Sequence, residues 1–159
     1  MKIIMHQDET DAIITNIHKD DIMLEWGAGG STLLFSQHVK EYYSIESNEY
    51  WFNEVKKLIG DNVKLFLCLP IPKSPVVPSH KEDYLDYINK INYVNKRFDK
   101  ILVDGRARTF CAEKAVPFIK DNGLLFFHDW NRPRYHTILK YYTIVDVVNQ
   151  LAILRKKVV

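Results

Sequence analysis

The stretch Ile22 to Thr32, reading IMLEWGAGGST, narrows the folds open to this chain more than any other. Its apolar run, Ile22, Met23 and Leu24, reads as a buried strand ending at Glu25 and Trp26, and three of the chain's six glycines, Gly27, Gly29 and Gly30, follow at once. Glycine has no Cβ, so such a loop turns sharply and brings its backbone N–H groups close to a neighbour. Leu33, Leu34 and Phe35 then restart the apolar pattern at helical spacing. A helix from about Thr32 to Val39, with Ser31 as its expected N-cap, turns unpaired N–H groups and a partial positive charge toward the loop. Strand, glycine loop and helix make a unit suited to a small anionic or zwitterionic ligand. A tight connection without a ligand accounts for the glycines alone, but not for the order of elements around them.

That order can be read from end to end. Residues 8 to 18 put Ile13, Ile14 and Ile17 on one face of a lead-in helix, with Asp8 or Thr10 as its cap. Tyr42 to Glu46 is a second strand. Asn48 caps a helix whose apolar face carries Trp51, Phe52, Val55, Leu58 and Ile59, and Gly60 closes it. Val63 to Leu69 is a third strand. Pro70, Pro72, Pro75 and Pro78, four of six prolines within nine residues, then exclude a helix interior or a central strand and predict a loop, a candidate lid. Tyr84, Leu85, Ile88, Ile91 and Val94 recur at helical spacing over Glu82 to Asn95. Phe98 to Val103 is a fourth strand, and a helix from Phe110 to Lys120 is interrupted by Pro117. Asn122-Gly123 turns into a fifth strand, Leu124 to Phe127. A helix opens at Pro133 and runs through Tyr141. Thr143 to Val148 and Leu151 to Lys156 form a closing hairpin about Asn149-Gln150. Strands alternating with helices predict a mostly parallel sheet covered on both faces, with ligands beyond the carboxyl ends of its strands.

The residues Glu25-x-Gly27-x-Gly29-Gly30-Ser31-Thr32 resemble motif I of class I S-adenosylmethionine-dependent methyltransferases, and the resemblance extends from Ile22 to about Lys156. It implies a three-layer Rossmann-like α/β fold with a seven-stranded sheet in the order 3-2-1-4-5-7-6 and a C-terminal antiparallel hairpin. It also implies S-adenosylmethionine as cofactor. Glu25, Gly27, Gly29, Gly30, Ser31 and Thr32 would cradle its methionine end, and Glu46 with Ser47 would hold its ribose hydroxyls. Glu46 lies 21 positions beyond Glu25, room for one helix and one strand. The third strand ends in Cys68-Leu69-Pro70 where such enzymes often place an acid for the adenine amino group, so adenine recognition here falls to backbone groups. A nicotinamide-dependent dehydrogenase is a rival, but Gly27-x-Gly29-x-x-Thr32 lacks the third glycine of that fingerprint. A cofactor-binding relative without turnover, inside a glycan-modifying assembly, is another.

The strand ends also gather Asp104, His128 and Asp129. Strands four and five are expected to be neighbours, ~4.8 Å apart, so Asp104 and Asp129 can share one ligand. Two outcomes are open. In one, Asp104, Asp129 and Asn131 hold a divalent cation such as Mg²⁺, as in catechol-type and sugar O-methyltransferases, although Trp130 stands where those enzymes have Asn. In the other, Asp104 contacts the cofactor's amino group and His128 or Asp129 is the general base. Arg106, Arg108, Arg132 and Arg134 flank these ends and suit an anionic acceptor, against the plainer reading of solvated loop charge. Trp130, Arg132 and His136 are candidate substrate contacts. Methyl transfer needs alignment of nucleophile, methyl and sulfur rather than a protein nucleophile. The expected reaction is O-methylation of a small hydroxylated acceptor, a sugar or an anionic metabolite.

Totals narrow the partners. With 22 Lys plus Arg against 20 Asp plus Glu, the net charge of +2 indicates neither nucleic acid nor membrane surface. The length of 159 residues suits one domain spanning the chain. Cys68 and Cys111 match no metal or redox spacing and read as reduced core thiols. No stretch reaches transmembrane length and MKIIMHQDET is too short in apolar residues for a signal peptide, so the expected location is cytoplasmic.

Overall fold

The computed structural model describes residues 1–72 and 81–158. Its strands are β1 Ile22–Trp26, β2 Glu41–Glu46, β3 Val63–Leu67, β4 Phe98–Val103, β5 Ile119–Phe127, β6 Tyr142–Val148 and β7 Leu151–Lys156. They form one sheet in the spatial order β3-β2-β1-β4-β5-β7-β6. β1 to β5 pair in parallel, and β7 runs antiparallel to both β5 and β6. Order and closing hairpin are as expected.

Successive residues of the central strands go to opposite layers, which is why the strands are apolar throughout rather than alternating. Leu24, Trp26, Ile101, Val103, Leu125 and Phe127 join one core cluster, with Tyr87, Ile88, Cys111, Ala112 and Ala115 from helices α4 Leu85–Asn89 and α5 Arg108–Ala115. Met23, Leu102, Leu124 and Phe126 face the other cluster, with Ile13 from helix α1 Gln7–Asn16, Ile17 just after it, and Phe35 at the end of helix α2 Gly30–Phe35. Cys68 and Cys111 are buried free thiols, as their surroundings in the sequence suggested.

Several boundaries differ for identifiable reasons. The N-cap of α1 is His6, not Asp8 or Thr10, and the helix start is closed by Glu9 accepting the His6 backbone N–H at 2.9 Å. α2 begins at Gly30 with Gly29 at its cap, because the Ser31 and Thr32 hydroxyls turn inward to Glu25. Asn48 does cap α3 Glu49–Lys56, accepting from Trp51 N–H at 3.1 Å, yet Trp51 and Leu58 are exposed rather than core. β3 stops at Leu67. The expected helix over 82–95 is a short α4 between 3-10 turns at Lys81–Tyr84 and Lys90–Tyr93, and the helix after Pro133 is 3-10 throughout, Pro133–Lys140. α5 ends before Pro117, which has no N–H to continue it. Asn122-Gly123 does not precede β5 but lies within it, where the pairing with β4 shifts register between Phe98 and Lys100. Of the proline-rich loop, Pro75 and Pro78 lie outside the described residues. Among the described residues no helix is long and apolar enough to cross a membrane.

Register positions the site. Trp26 is level with Ile45 on β2 and Val103 on β4, and Val103 with Phe127 on β5. Gly27, Glu46, Asp104 and His128 therefore leave the sheet along one edge.

Candidate functional site

The loop after β1 is held from below. Glu25 is fully buried, and its carboxylate accepts hydrogen bonds from Ser31 Oγ at 2.9 Å, Tyr42 Oη at 2.8 Å, Ser44 Oγ at 2.7 Å and Thr32 Oγ1. Burial pushes its pKa up to about 7, and the four hydroxyls resist the rise. Thr32 Oγ1 also accepts the Gly29 N–H at 3.0 Å, so one buried acid fixes the turn through side chains on both its flanks. Gly27, at φ +101, donates its N–H to Ile45 O at 2.8 Å, and a Cβ there would lie 2.8 Å from Gly105 Cα. The loops after β1 and β4 touch at these two glycines, an approach no other residue permits.

Above the loop is a cavity of about 570 Å³, lined by Gly27 to Ser31, Glu46 to Asn48, Trp51, Pro70, Tyr84, Asp104 to Arg106, Arg108, Asp129, Arg132 and the N-terminal residues Lys2 to Ile4. That volume lies within the roughly 300–1,000 Å³ of small-molecule sites. Glu46 stands at its wall. Its Oε1 accepts from Ser47 N at 2.7 Å and Asn48 N at 2.8 Å, and its Oε2 from Ala28 N at 2.7 Å. A carboxylate has about four acceptor positions, so among the described residues one on Oε2 is unfilled. Burial raises the Glu46 pKa, opposed by these backbone amides and by Arg106.

Asp104, Arg108 and Asp129 meet at the other end. Arg108 Nη1 lies 3.4 Å from Asp104 Oδ1 and 3.0 Å from Asp129 Oδ2, and donates to His128 O at 2.8 Å. Asp129 has left-handed backbone, φ +59, a strain that only surrounding contacts maintain. Its Oδ2 also faces Arg132 Nη2 at 3.4 Å, while Oδ1 is 3.7 Å from His128 Nδ1, beyond hydrogen-bonding range. His128 stands behind the wall, with Nδ1 3.0 Å from Asp104 Oδ1 and Nε2 3.0 Å from Glu9 Oε2. Burial lowers its pKa, but Asp104 and Glu9 outweigh that and leave it raised. With both nitrogens committed, His128 has none to offer an acceptor as a base.

A divalent cation between Asp104 and Asp129 needs their oxygens to converge on a free position. The Arg108 guanidinium takes that position, and Asn131 is exposed and off the cavity wall. These residues do not fit the expected Mg²⁺. Among the described residues no group of three or more His, Cys, Asp or Glu side chains could hold a metal ion.

The structure thus brings Gly27, Gly29, Gly30, Ser31, Glu46, Ser47, Asp104, Asp129 and Arg132 to one cavity, and sets Glu25, Thr32 and His128 behind its wall. Trp130 and His136 are elsewhere: their rings lie 4.3 Å apart, Trp130 packs edge-on to Phe127, and His136 Nε2 donates to Trp130 O at 2.7 Å. Sequence reasoning missed Lys2 to Ile4, Trp51, Tyr84 and the bridging part of Arg108. It also missed Tyr42 and Ser44, although two polar residues two apart in a buried strand, with Ser44 level with Glu25, signal a buried polar partner.

No protein-family model matches the chain, and no curated protein matches its sequence. Solved structures do match it. A methyltransferase-like protein from Silicibacter pomeroyi DSS-3 superposes with a TM-score of 0.77 at 21% identity, over 98% of this chain and 88% of that one. An rRNA methylase from Streptococcus thermophilus gives 0.64 at 14% identity, over 98% and 99% of the two chains. TYW2 from M. jannaschii, in complex with AdoMet, gives 0.58 at 16% identity, over 98% and 80%. Sheet order, register and these likenesses agree: the chain has the fold of class I S-adenosylmethionine-dependent methyltransferases.

Proposed function

We propose that this chain binds S-adenosylmethionine across the strand ends and transfers its methyl group to an oxygen of a small hydroxylated acceptor. The observation that carries the reading is that the glycine loop, Glu46 and Asp104 line one cavity at the carboxyl edge of a sheet with this topology. Gly27 to Ser31 suit the methionine end. The unfilled position on Glu46 Oε2 suits one ribose hydroxyl, and Trp51, Pro70 and Tyr84 offer apolar surface for the base. The sulfonium brings an activated methyl group, so the protein supplies alignment and a proton acceptor. Asp129 Oδ1, with no hydrogen bond among the described residues, is the acceptor oxygen best placed to take a hydroxyl proton. Arg106 and Arg132 at the wall favour an acceptor bearing a phosphate or carboxylate, such as a sugar phosphate.

Titration calorimetry with S-adenosylmethionine and with NAD separates the methyltransferase reading from a dehydrogenase. Label transfer from methyl-tritiated S-adenosylmethionine to sugars, sugar phosphates, catechols and a short RNA then separates an enzyme from a binder. Binding of NAD alone, or transfer only to RNA, would refute the proposal.

A further inference from the structure

Glu9 has no share in the cavity wall, yet it is only 2% exposed, a position an acid occupies when it is paired. Its Oε1 accepts the Gln150 N–H at 2.8 Å and its Oε2 the His6 N–H at 2.9 Å. The third partner is His128 Nε2, 119 residues away in sequence, and the other nitrogen of that ring meets Asp104. Carboxylates accept and do not donate. With both acids ionised, this geometry calls for hydrogen on both ring nitrogens, the imidazolium form that the raised His128 pKa also favours. The charges alternate in sign from the interior to the cavity: Glu9, His128, Asp104, Arg108, Asp129, Arg132, with neighbours 3.0, 3.0, 3.4, 3.0 and 3.4 Å apart. Among the described residues the ring's ion-pair contacts are with Glu9 from α1, Asp104 after β4 and, at 3.7 Å, Asp129 after β5, and Arg108 from α5 pairs with both aspartates.

We propose that Glu9 is a positioning residue, acting through His128 to hold the Asp104 carboxylate at the cavity wall. Without the Glu9 charge the ring reverts to a neutral tautomer with one N–H, and its ion pair with Asp104 becomes at most a hydrogen bond from an uncharged ring. Among the described residues Asp104 is then left with Arg108 as its one charged partner. The kinetic consequence rests on the methyl-transfer reading, whereas the state of the ring does not.

The test uses the intact chain. In Glu9→Gln, turnover of the fastest acceptor in the panel above falls about ten- to a hundredfold, the size expected of a small misplacement at a reacting centre, while S-adenosylmethionine affinity stays within about twofold. His128→Asn lowers kcat similarly, and adding Glu9→Gln to it changes kcat by less than about twofold, because residues acting as one unit are not additive. At pH 7 the ring ¹⁵N shifts of His128 report imidazolium in the parent chain and a neutral tautomer in Glu9→Gln. A neutral His128 in the parent chain, unchanged ring shifts in Glu9→Gln, or additive losses in the double variant would overturn the proposal. If circular dichroism shows Glu9→Gln unfolded, His128→Asn carries the test, since it leaves the His6 and Gln150 contacts of Glu9 in place, and an unchanged kcat there overturns it. A parent chain that transfers no methyl group refutes the proposed function instead, and the ring shifts still decide this inference.

Discussion

Replacing Glu25 with Gln isolates the titration of a single buried acid. The carboxyl is fully buried and titrates at about 7 rather than 4.5. Its folded pKa is raised, so the protonated form is favoured in the native state. The stability it contributes is therefore complete below the unfolded pKa of 4.5 and is lost as pH rises to about 7. At 1.36 kcal/mol per pKa unit the loss is ~3 kcal/mol. Gln has no proton to lose in that window, and the surrounding hydroxyls can donate to its oxygen and accept from its nitrogen. Urea unfolding of both proteins from pH 4.5 to 8 cancels the other titrating groups in the difference. Glu25→Gln should gain ~3 kcal/mol on the parent across that range. A difference that stays flat, or falls, would refute the assignment of Glu25 as a desolvated anchor.

Glu46→Gln should weaken S-adenosylmethionine binding about tenfold or more by calorimetry, because the charge is lost and the amide nitrogen cannot accept the backbone N–H of Ala28, or of Ser47 and Asn48, that the replaced oxygen held. Asp129→Asn, which tolerates the left-handed backbone, should lower kcat about 10²-fold or more with the cofactor Kd retained. The adjacent glycines should separate: a Cβ on Gly29 meets nothing within 4 Å and should leave Tm unchanged while weakening cofactor binding, whereas one on Gly30 meets Ile3 N at 2.6 Å and should lower both Tm and affinity. Turnover in EDTA should equal turnover in Mg²⁺, because Arg108 holds the position between Asp104 and Asp129.

The sequence made the frame legible where one residue type answers one physical demand. Gly27 was readable because the turn needs positive φ, and the hairpin because Asn149-Gln150 separates two β-rich runs. Glu46 and Asp104 were readable because the register of a parallel sheet brings its strand ends level. What stayed hidden depends on long-range pairing. Glu9 looks like a first-turn acid of a surface helix until His128 and Gln150 close on it, and Arg108 looks like a loop cation until it falls between two acids. Glu25 looks like a ligand contact because its spacing to the glycines does not say which way its side chain points. Periodicity also overstated the helices over 82–95 and 133–141, since 3-10 turns present apolar residues at i and i+3 as a helix does.

The most direct measurement is a crystal structure of the chain with S-adenosylhomocysteine. The account predicts the amino-acid tail along Gly27 to Gly30 and a ribose hydroxyl within hydrogen-bonding distance of Glu46 Oε2. A cavity without the nucleoside at saturating concentration, or the nucleoside bound away from Glu46, would contradict it.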